Sequence, residues 1–161
     1  ALGLTALPKG AFTDPRHPKL GWRLYSTDAE KFNQPINWTK LRVDYVIPEY
    51  GSELTGESYI LEMGFERLNG VDFKKGCYVG QEVTARMKHK TELHKGLVKI
   101  GSEQTMVNGE ELFLNDKPIG SVLTVYDRSA LAYVRLKNRD EILSTKSTKR
   151  IFVDTNPISS N

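Results

Sequence analysis

The chain has 161 residues, 39% hydrophobic and 27% charged, the composition of a folded globular protein with room for one ordinary domain or parts of two. No apolar run is long enough to cross a bilayer as a helix, and the single cysteine excludes an internal disulfide and fits a reducing compartment. A net charge of +3 tolerates an anionic ligand without demanding nucleic acid.

Residues 1–35 contain Pro8, Pro15, Pro18 and Pro35, a density that opposes long helices. The opening Ala1-Leu2-Gly3-Leu4 has neither the basic start nor the cleavage pattern of a secretory signal, and the absence of an initiating Met suggests a longer parent protein. Short strands are predicted over 10–13 and 22–26, around a connection over 14–21. Asn37 or Thr39 caps a helix over 38–46, stopped by Pro48 because proline disfavours helix in the residue before it. Residues 49–58 read as a polar loop. A second helix is predicted over 58–68, with Ile60, Met63 and Arg67 at helical spacing and Gly70 beyond its end. Residues 72–78 form a connecting turn. Val79, Val83 and Met87 lie four apart, which predicts a third helix over 80–88 that buries this stripe.

From His94 onward the texture changes. Short strands are predicted over 97–101, 111–114, 118–126, 131–136 and 151–153, separated by turn signals at Asn108-Gly109, at Asn115-Asp116 and over 138–140. Residues 144–149 read as merely polar. An antiparallel barrel is the natural home for strands so spaced. The expected fold class is therefore α+β: an α+β region over 1–90, then a β-barrel domain over 91–161.

The chemistry concentrates in Lys74-Lys75-Gly76-Cys77-Tyr78-Val79-Gly80-Gln81-Glu82. A free cysteine is often a core residue. Here glycines and lysines around Cys77 argue for an accessible loop, and cations and a helix amino end both favour a thiolate. Glu82 and Arg86 are four apart on one helix face. They form either an ordinary surface pair, or a site in which Arg86 or Lys75 keeps Cys77 ionised while Gln81 and Glu82 fix the turn. His17, His89 and His94 do not make a metal-binding pattern, so no metal is expected. The basic run Arg86, Lys88, His89, Lys90, His94, Lys95 and Lys99 is solvated surface or a contact for anions. No RNA-binding aromatic motif accompanies it, and the chain has no phosphate loop, Ser/His/Asp triad or nucleotide fingerprint.

Lys75-Gly76-Cys77-Tyr78-Val79-Gly80-Gln81-Glu82, followed by Arg86, resembles the signature of the YgfZ family, folate-binding proteins of iron–sulfur cluster assembly and repair related to the glycine cleavage T-protein. Asp14-Pro15-Arg16, Leu20-Gly21-Trp22-Arg23, Arg42, Ile47-Pro48, Glu57 and Asn69-Gly70-Val71 support the likeness, which covers roughly residues 12–100. The family proteins are longer, and this chain resembles their carboxyl-terminal half. The resemblance implies the end of a T-protein-like folate-binding domain followed by a barrel, lining part of a channel for tetrahydrofolate. It implies Cys77 as the functional thiol, and a cytoplasmic (bacterial) or mitochondrial matrix protein that meets iron–sulfur client or assembly proteins. One thiolate cannot hold a cluster alone, so Cys77 would be a shared ligand or a redox-reactive thiol. A pterin offers a flat ring with a donor–acceptor edge, which a carboxylate and aromatic faces suit. Arg42, Asp44, Tyr45 and Glu57 are the candidates for that contact. Trp22 and Trp38 are expected in the core. An enzymatic alternative is tetrahydrofolate-dependent aminomethyl transfer, and a third is a role associated with tRNA modification.

Overall fold

A computed structural model describes residues 9–25, 27, 36–90, 92–138, 143–145 and 150–154. The first four residues, Pro8, Ser26, Pro35, Asp140 and 146–149, on which some expectations above fall, lie outside the described residues.

Strands β1 (Phe12–Thr13) and β2 (Trp22–Arg23) form a two-stranded ribbon, shorter than the expected strands, in which Thr13 pairs with Trp22. Between them a single 3-10 turn, Pro18–Leu20, is capped by His17, whose Nδ1 accepts the Lys19 N–H at 3.2 Å. Asp14 closes the connection, its N–H donating to the Gly21 carbonyl at 2.9 Å.

Helix α1 (Trp38–Tyr45) starts at Asn37, whose Oδ1 accepts the Lys40 N–H at 2.8 Å. It ends at Val46 in the left-handed conformation, φ 51 and ψ 57. A β-branched residue is costly there. What offsets that cost is the closure of the helix end: Ile47 N–H returns to the Arg42 carbonyl at 2.9 Å, and the Arg67 guanidinium donates to the Tyr45 and Val46 carbonyls at 3.1 and 2.7 Å. A cation is favoured at a helix carboxyl end. The helix therefore stops before the residue preceding Pro48, with Arg67 supplying the seal.

The helix expected over 58–68 is absent. That stretch is a succession of turns, with hydrogen bonds from Met63 N to Tyr59 O, Phe65 N to Ile60 O and Gly70 N to Phe65 O. Gly64 at φ 78 breaks any helix in its middle. Its missing side chain also makes room for Arg67, whose Nη2 would lie 3.2 Å from a Cβ at that position. The buried residues are Leu61, Met63 and Leu68 rather than a stripe through Ile60 and Arg67.

Helix α2 (Gln81–Lys90) forms, but the stripe expected to be buried is not. Val79 and Val83 are exposed and Met87 is half-buried. The helix instead buries Thr84 and, four residues on, sends Lys88 toward the preceding segment. Thr84 is buried, and Lys88 Nζ meets Glu66 Oε1 at 2.5 Å and stands 5.2 Å from the Phe73 ring centroid.

Strands β3 (Lys95–Ser102), β4 (Glu111–Leu114), β5 (Lys117–Tyr126), β6 (Ser129–Arg135), β7 (Leu143–Thr145) and β8 (Arg150–Val153) form an antiparallel barrel in the order β3-β6-β5-β4-β7-β8, closed by β8 against β3. The polar stretch expected to carry no strand begins within β7, whose hydroxyl-bearing residues pair with β4 and β8. Asn115 and Asp116, both at positive φ, make the two-residue hairpin between β4 and β5, as their residue types favour.

Ile100, Leu112, Val122, Ala130, Ala132, Val134 and Ile151 fill the barrel. Irregularities in the β4–β5 and β5–β6 ladders let Ile119, Val122 and Val125, three apart, all join that core. On β6 the alternate residue Leu131 points outward and packs on Val43 and Val46, which seats α1 on the barrel wall. A second apolar cluster of Leu20, Ile47 and Leu68, with Trp38, Leu41 and Tyr45 against it, binds the 14–21 connection to α1. Trp22 and Trp38 are half-buried rather than deep in a core.

At Gly120 the strands approach so closely that a Cβ would lie 2.2 Å from the Tyr133 carbonyl and 2.8 Å from Val134 Cα. Gly120→Ala should destabilise the protein by about 2–4 kcal/mol, because backbone must move to admit the methyl group. Thr145 presents a buried hydroxyl with no hydrogen-bond partner among the described residues. Thr145→Val, of nearly the same shape, should be neutral or stabilising by about 1 kcal/mol. Urea unfolding of the two variants checks both.

Candidate functional site

Residues 74–80 are all exposed, Cys77 among them, so the thiol is reachable from solvent. The turn around it has its own internal bonds. Asp72 Oδ1 accepts the Lys74 N–H at 2.7 Å, Lys75 Nζ lies 4.7 Å from the Tyr78 ring centroid, and Gln81 Oε1 accepts the Tyr78 N–H at 3.1 Å. Gly80, at φ 85, turns the chain into α2. Gly76 has open space where a side chain would stand. Arg86 is on Glu82 at 2.7 Å, both side chains well exposed, which is the ordinary surface pair of one turn of helix.

Behind this turn lies an open hollow of about 490 Å³, lined by Glu66, Asn69, Val71, Asp72, Phe73 and Lys74. The Phe73 ring is fixed by Lys88 and by an edge contact with His89 at 6.2 Å. Asn69 Nδ2 donates to the Pro15 carbonyl at 2.7 Å and ties the hollow's floor to the 14–21 connection. Phe73, Glu66 and Lys88 hold α2 behind the cysteine, and none of them belongs to a chemical motif. Only the alternation of charge and ring across the fold marks them, and a linear pattern does not carry it.

The four candidate folate residues fall in three different settings. Arg42 is 4% exposed, with Nε on the Ile47 carbonyl at 3.3 Å, Nη1 on Glu49 at 2.9 Å and Nη2 on the buried Glu53 carboxylate. Asp44 is half-buried between Lys40 and Lys99, the latter at 3.1 Å. Burial would raise its carboxyl, but the hydrogen bonds from these two lysines hold it below the usual carboxylate value. Tyr45 is half-buried, its ring stacked on His17 with centroids 4.2 Å apart. Burial and the neighbouring Arg67 and Lys19 charges push His17 below its ordinary value, so the stacked imidazole is neutral at pH 7. Glu57 is exposed in a loop, its N–H donating to Thr55 Oγ1 at 3.2 Å. Trp38 adds a second ring nearby in the fold, with the Arg16 guanidinium 5.1 Å from its centroid and its indole N–H on Glu49 at 3.1 Å. Among the described residues no group of three or more His, Cys, Asp or Glu side chains is arranged to hold a metal ion.

Asp14 organises the ribbon beneath these residues. Its buried carboxylate takes hydrogen bonds from the Arg16 backbone and side chain and from Arg23 Nε, at 2.7–3.0 Å. Burial alone would raise this carboxyl, but the Arg16 and Arg23 hydrogen bonds outweigh it and hold Asp14 well below the carboxylate range.

No protein-family model matches the chain. Curated proteins do. The mouse mitochondrial iron-sulfur cluster assembly factor IBA57 is 37% identical over 98 residues, 56% of this chain and 27% of its own length. The human mitochondrial iron-sulfur cluster assembly factor IBA57 is 36% identical over 95 residues, 54% of this chain and 27% of its own. The mitochondrial IBA57 homolog of Neurospora crassa is 47% identical over 98 residues, 55% of this chain and 22% of its own. The chain thus spans about a quarter of the length of these relatives.

Two solution measurements follow from the geometry. The folded protein should take up one equivalent of iodoacetamide at Cys77 without denaturant; labelling that requires unfolding would contradict the exposed turn. Because the Asp14 carboxyl is depressed in the fold, the stability it contributes is complete above its unfolded value of 3.8 and is lost as the pH falls below it. Asp14→Asn should lower the unfolding free energy from urea titration at neutral pH by about 1–3 kcal/mol and flatten the acid limb of the stability profile.

Proposed function

We propose that this chain is the thiol-bearing part of a mitochondrial iron–sulfur cluster assembly factor, and that Cys77 does its chemistry. The observation that carries this is the conjunction of the named IBA57 relatives with a solitary, solvent-exposed cysteine held in a built turn. Cys77 serves as one thiolate ligand to a cluster in transit, the other ligands coming from the protein that brings or receives it, since a cluster takes about four protein ligands. Lys75 braces the turn through its contact with the Tyr78 ring. Gly76 and Gly80 let the loop stand clear of bulkier neighbours. Arg86 and Glu82 stabilise the first turns of α2 behind it.

Tetrahydrofolate is the small-molecule ligand of this proposal. Tyr45, Asp44 and Glu57 provide a ring face and carboxylates for the pterin, and Arg42 acts from beneath by holding the end of α1. In that reading residues 1–90 belong to a T-protein-like folate-binding region and 91–161 to a carboxyl-terminal barrel domain.

Cys77→Ala, placed in the protein and expressed in cells that lack it, should fail to restore cluster-dependent enzymes while changing folding stability by no more than about 0.5 kcal/mol, as befits an exposed site. Full restoration by that variant would end the thiol proposal. Titration with tetrahydrofolate, followed by tryptophan fluorescence, should saturate and should weaken in Tyr45→Ala. An unchanged affinity in that variant would move the pterin elsewhere, and turnover of an aminomethyl donor would make the protein a transferase.

A further inference from the structure

Val79, Val83 and Met87, which the sequence spaces as a buried stripe, are the part of the α2 region that the fold leaves toward water. Val79 and Val83 are exposed and Met87 is half-buried, while Thr84 takes the covered side of the helix and Lys88 reaches back to Glu66. Val83 and Met87 lie one turn apart on one helix face. Val79, with the exposed Tyr78 before it, stands at the turn leading into that face. Single apolar residues on a surface need no explanation, but a strip of them has a use.

Charge is distributed unevenly around the strip. Residues 74–90 hold five cations, Lys74, Lys75, Arg86, Lys88 and Lys90, and one carboxylate, Glu82. The whole chain carries only +3, so its positive excess sits here. Lys75 stands 4.7 Å from the Tyr78 ring centroid, and Arg86, three residues after Val83, borders it on the helix. Glu82 is already met by Arg86 at 2.7 Å.

An occupant of this face must bring apolar groups to the strip and negative charge to its rim. A second copy in a two-fold arrangement brings cations against cations. A nucleic acid answers the rim with phosphates, but its bases stack on aromatic rings, and the Tyr78 ring is faced by Lys75. A helix that lies on a bilayer anchors through Trp, Phe or Leu, and α2 has none of these. We infer that Val79, Val83 and Met87 form the docking face for a protein whose surface has an apolar centre bordered by Asp and Glu. The inference rests on the cluster-assembly reading for the kind of partner, and it gives the chemistry of the surface that meets the Cys77 turn. The apolar centre provides affinity, and the charged rim provides approach and orientation.

The test puts the photo-crosslinking residue benzoylphenylalanine in place of Val79, in the whole protein expressed in cells that lack it, and in place of the exposed Glu103 on the barrel as a control. Position 79 should give an adduct that position 103 does not. The partner's crosslinked peptide, read by mass spectrometry, should carry apolar residues beside Asp or Glu. Val83→Ser should lower the adduct yield by about tenfold, the effect of one valine no longer buried. Arg86→Glu should lower it as well, through repulsion at the rim. Val83→Thr, which keeps the shape of the side chain, serves if the serine variant loses stability. An adduct no stronger than the control overturns the inference, as does an unchanged yield in the Val83 variants. So does crosslinking to lipid, nucleic acid, a second copy, another segment of the same polypeptide or a basic peptide. Those results would leave the cluster-assembly proposal standing as long as Cys77→Ala fails to restore client enzymes. An acid-bordered adduct that persists in Cys77→Ala, with full restoration of those enzymes, would keep the docking face and remove the thiol proposal.

Discussion

A buried guanidinium and a buried carboxylate meet where α1 lies against the barrel. Glu53 receives Arg42 and the Glu49 N–H on one oxygen and the Thr124 hydroxyl, from barrel strand β5, on the other. Both side chains are almost wholly removed from water. An ion pair in that position is expensive to desolvate, and breaking it by removing one partner strands a charge at a cost of about 3–5 kcal/mol. The pair therefore does more to define the arrangement than to add net stability. It admits one seating of α1 on the barrel, in which Val43 and Val46 cover Leu131.

Other contacts repeat the same logic along the seam. The Tyr133 hydroxyl donates to Glu62, and burial followed by that carboxylate raises the phenol above its ordinary value, which keeps it a donor. Leu97 N–H donates to the Glu62 carbonyl at 2.9 Å, and Lys99 reaches Asp44 at 3.1 Å. The barrel thus presents hydroxyl, amide and ammonium donors, and the α1 side presents acceptors. Arg67 closes the same carboxyl end of α1, where its guanidinium is half-buried on two backbone carbonyls and lowered by that burial. Val46 keeps its strained conformation because these bonds and the surrounding packing over-determine it.

The Cys77 turn is built on the opposite principle. Nothing there is buried, and its order comes from hydrogen bonds and a cation–ring contact among neighbours in the chain. The proposed role of the thiol needs access, and local bonds provide shape without cover. The price is an exposed apolar edge at Val79 and Val83. Helix α2 connects this turn to the better-packed body through Lys88 and Phe73.

Much of this was legible in the residues alone. Alternation and turn residues marked the strands β3, β4, β5, β6 and β8 and their closure into an antiparallel sheet, because period-two patterning and left-handed Asn and Gly turns are local properties. The Asn37 cap, the extent of α1 and the accessible setting of Cys77 were local too. What the chain alone left undecided depended on partners distant in sequence. Gly64 overrides the helical spacing of 58–68 because Arg67 takes the space above it to seal α1. Strand β7 exists because β4 and β8 offer it edges, although two of its three residues are polar. Val83 stays in water because Thr84, next to it, takes the buried side of α2 while Lys88 reaches Glu66 and Phe73. Arg42 lies beneath the surface because Glu53, eleven residues on, is carried to it by a loop with no periodic signal. Local patterning can fix the backbone of a segment, but which side of it is covered is settled by competition among distant surfaces, and only the assembled tertiary structure decides that.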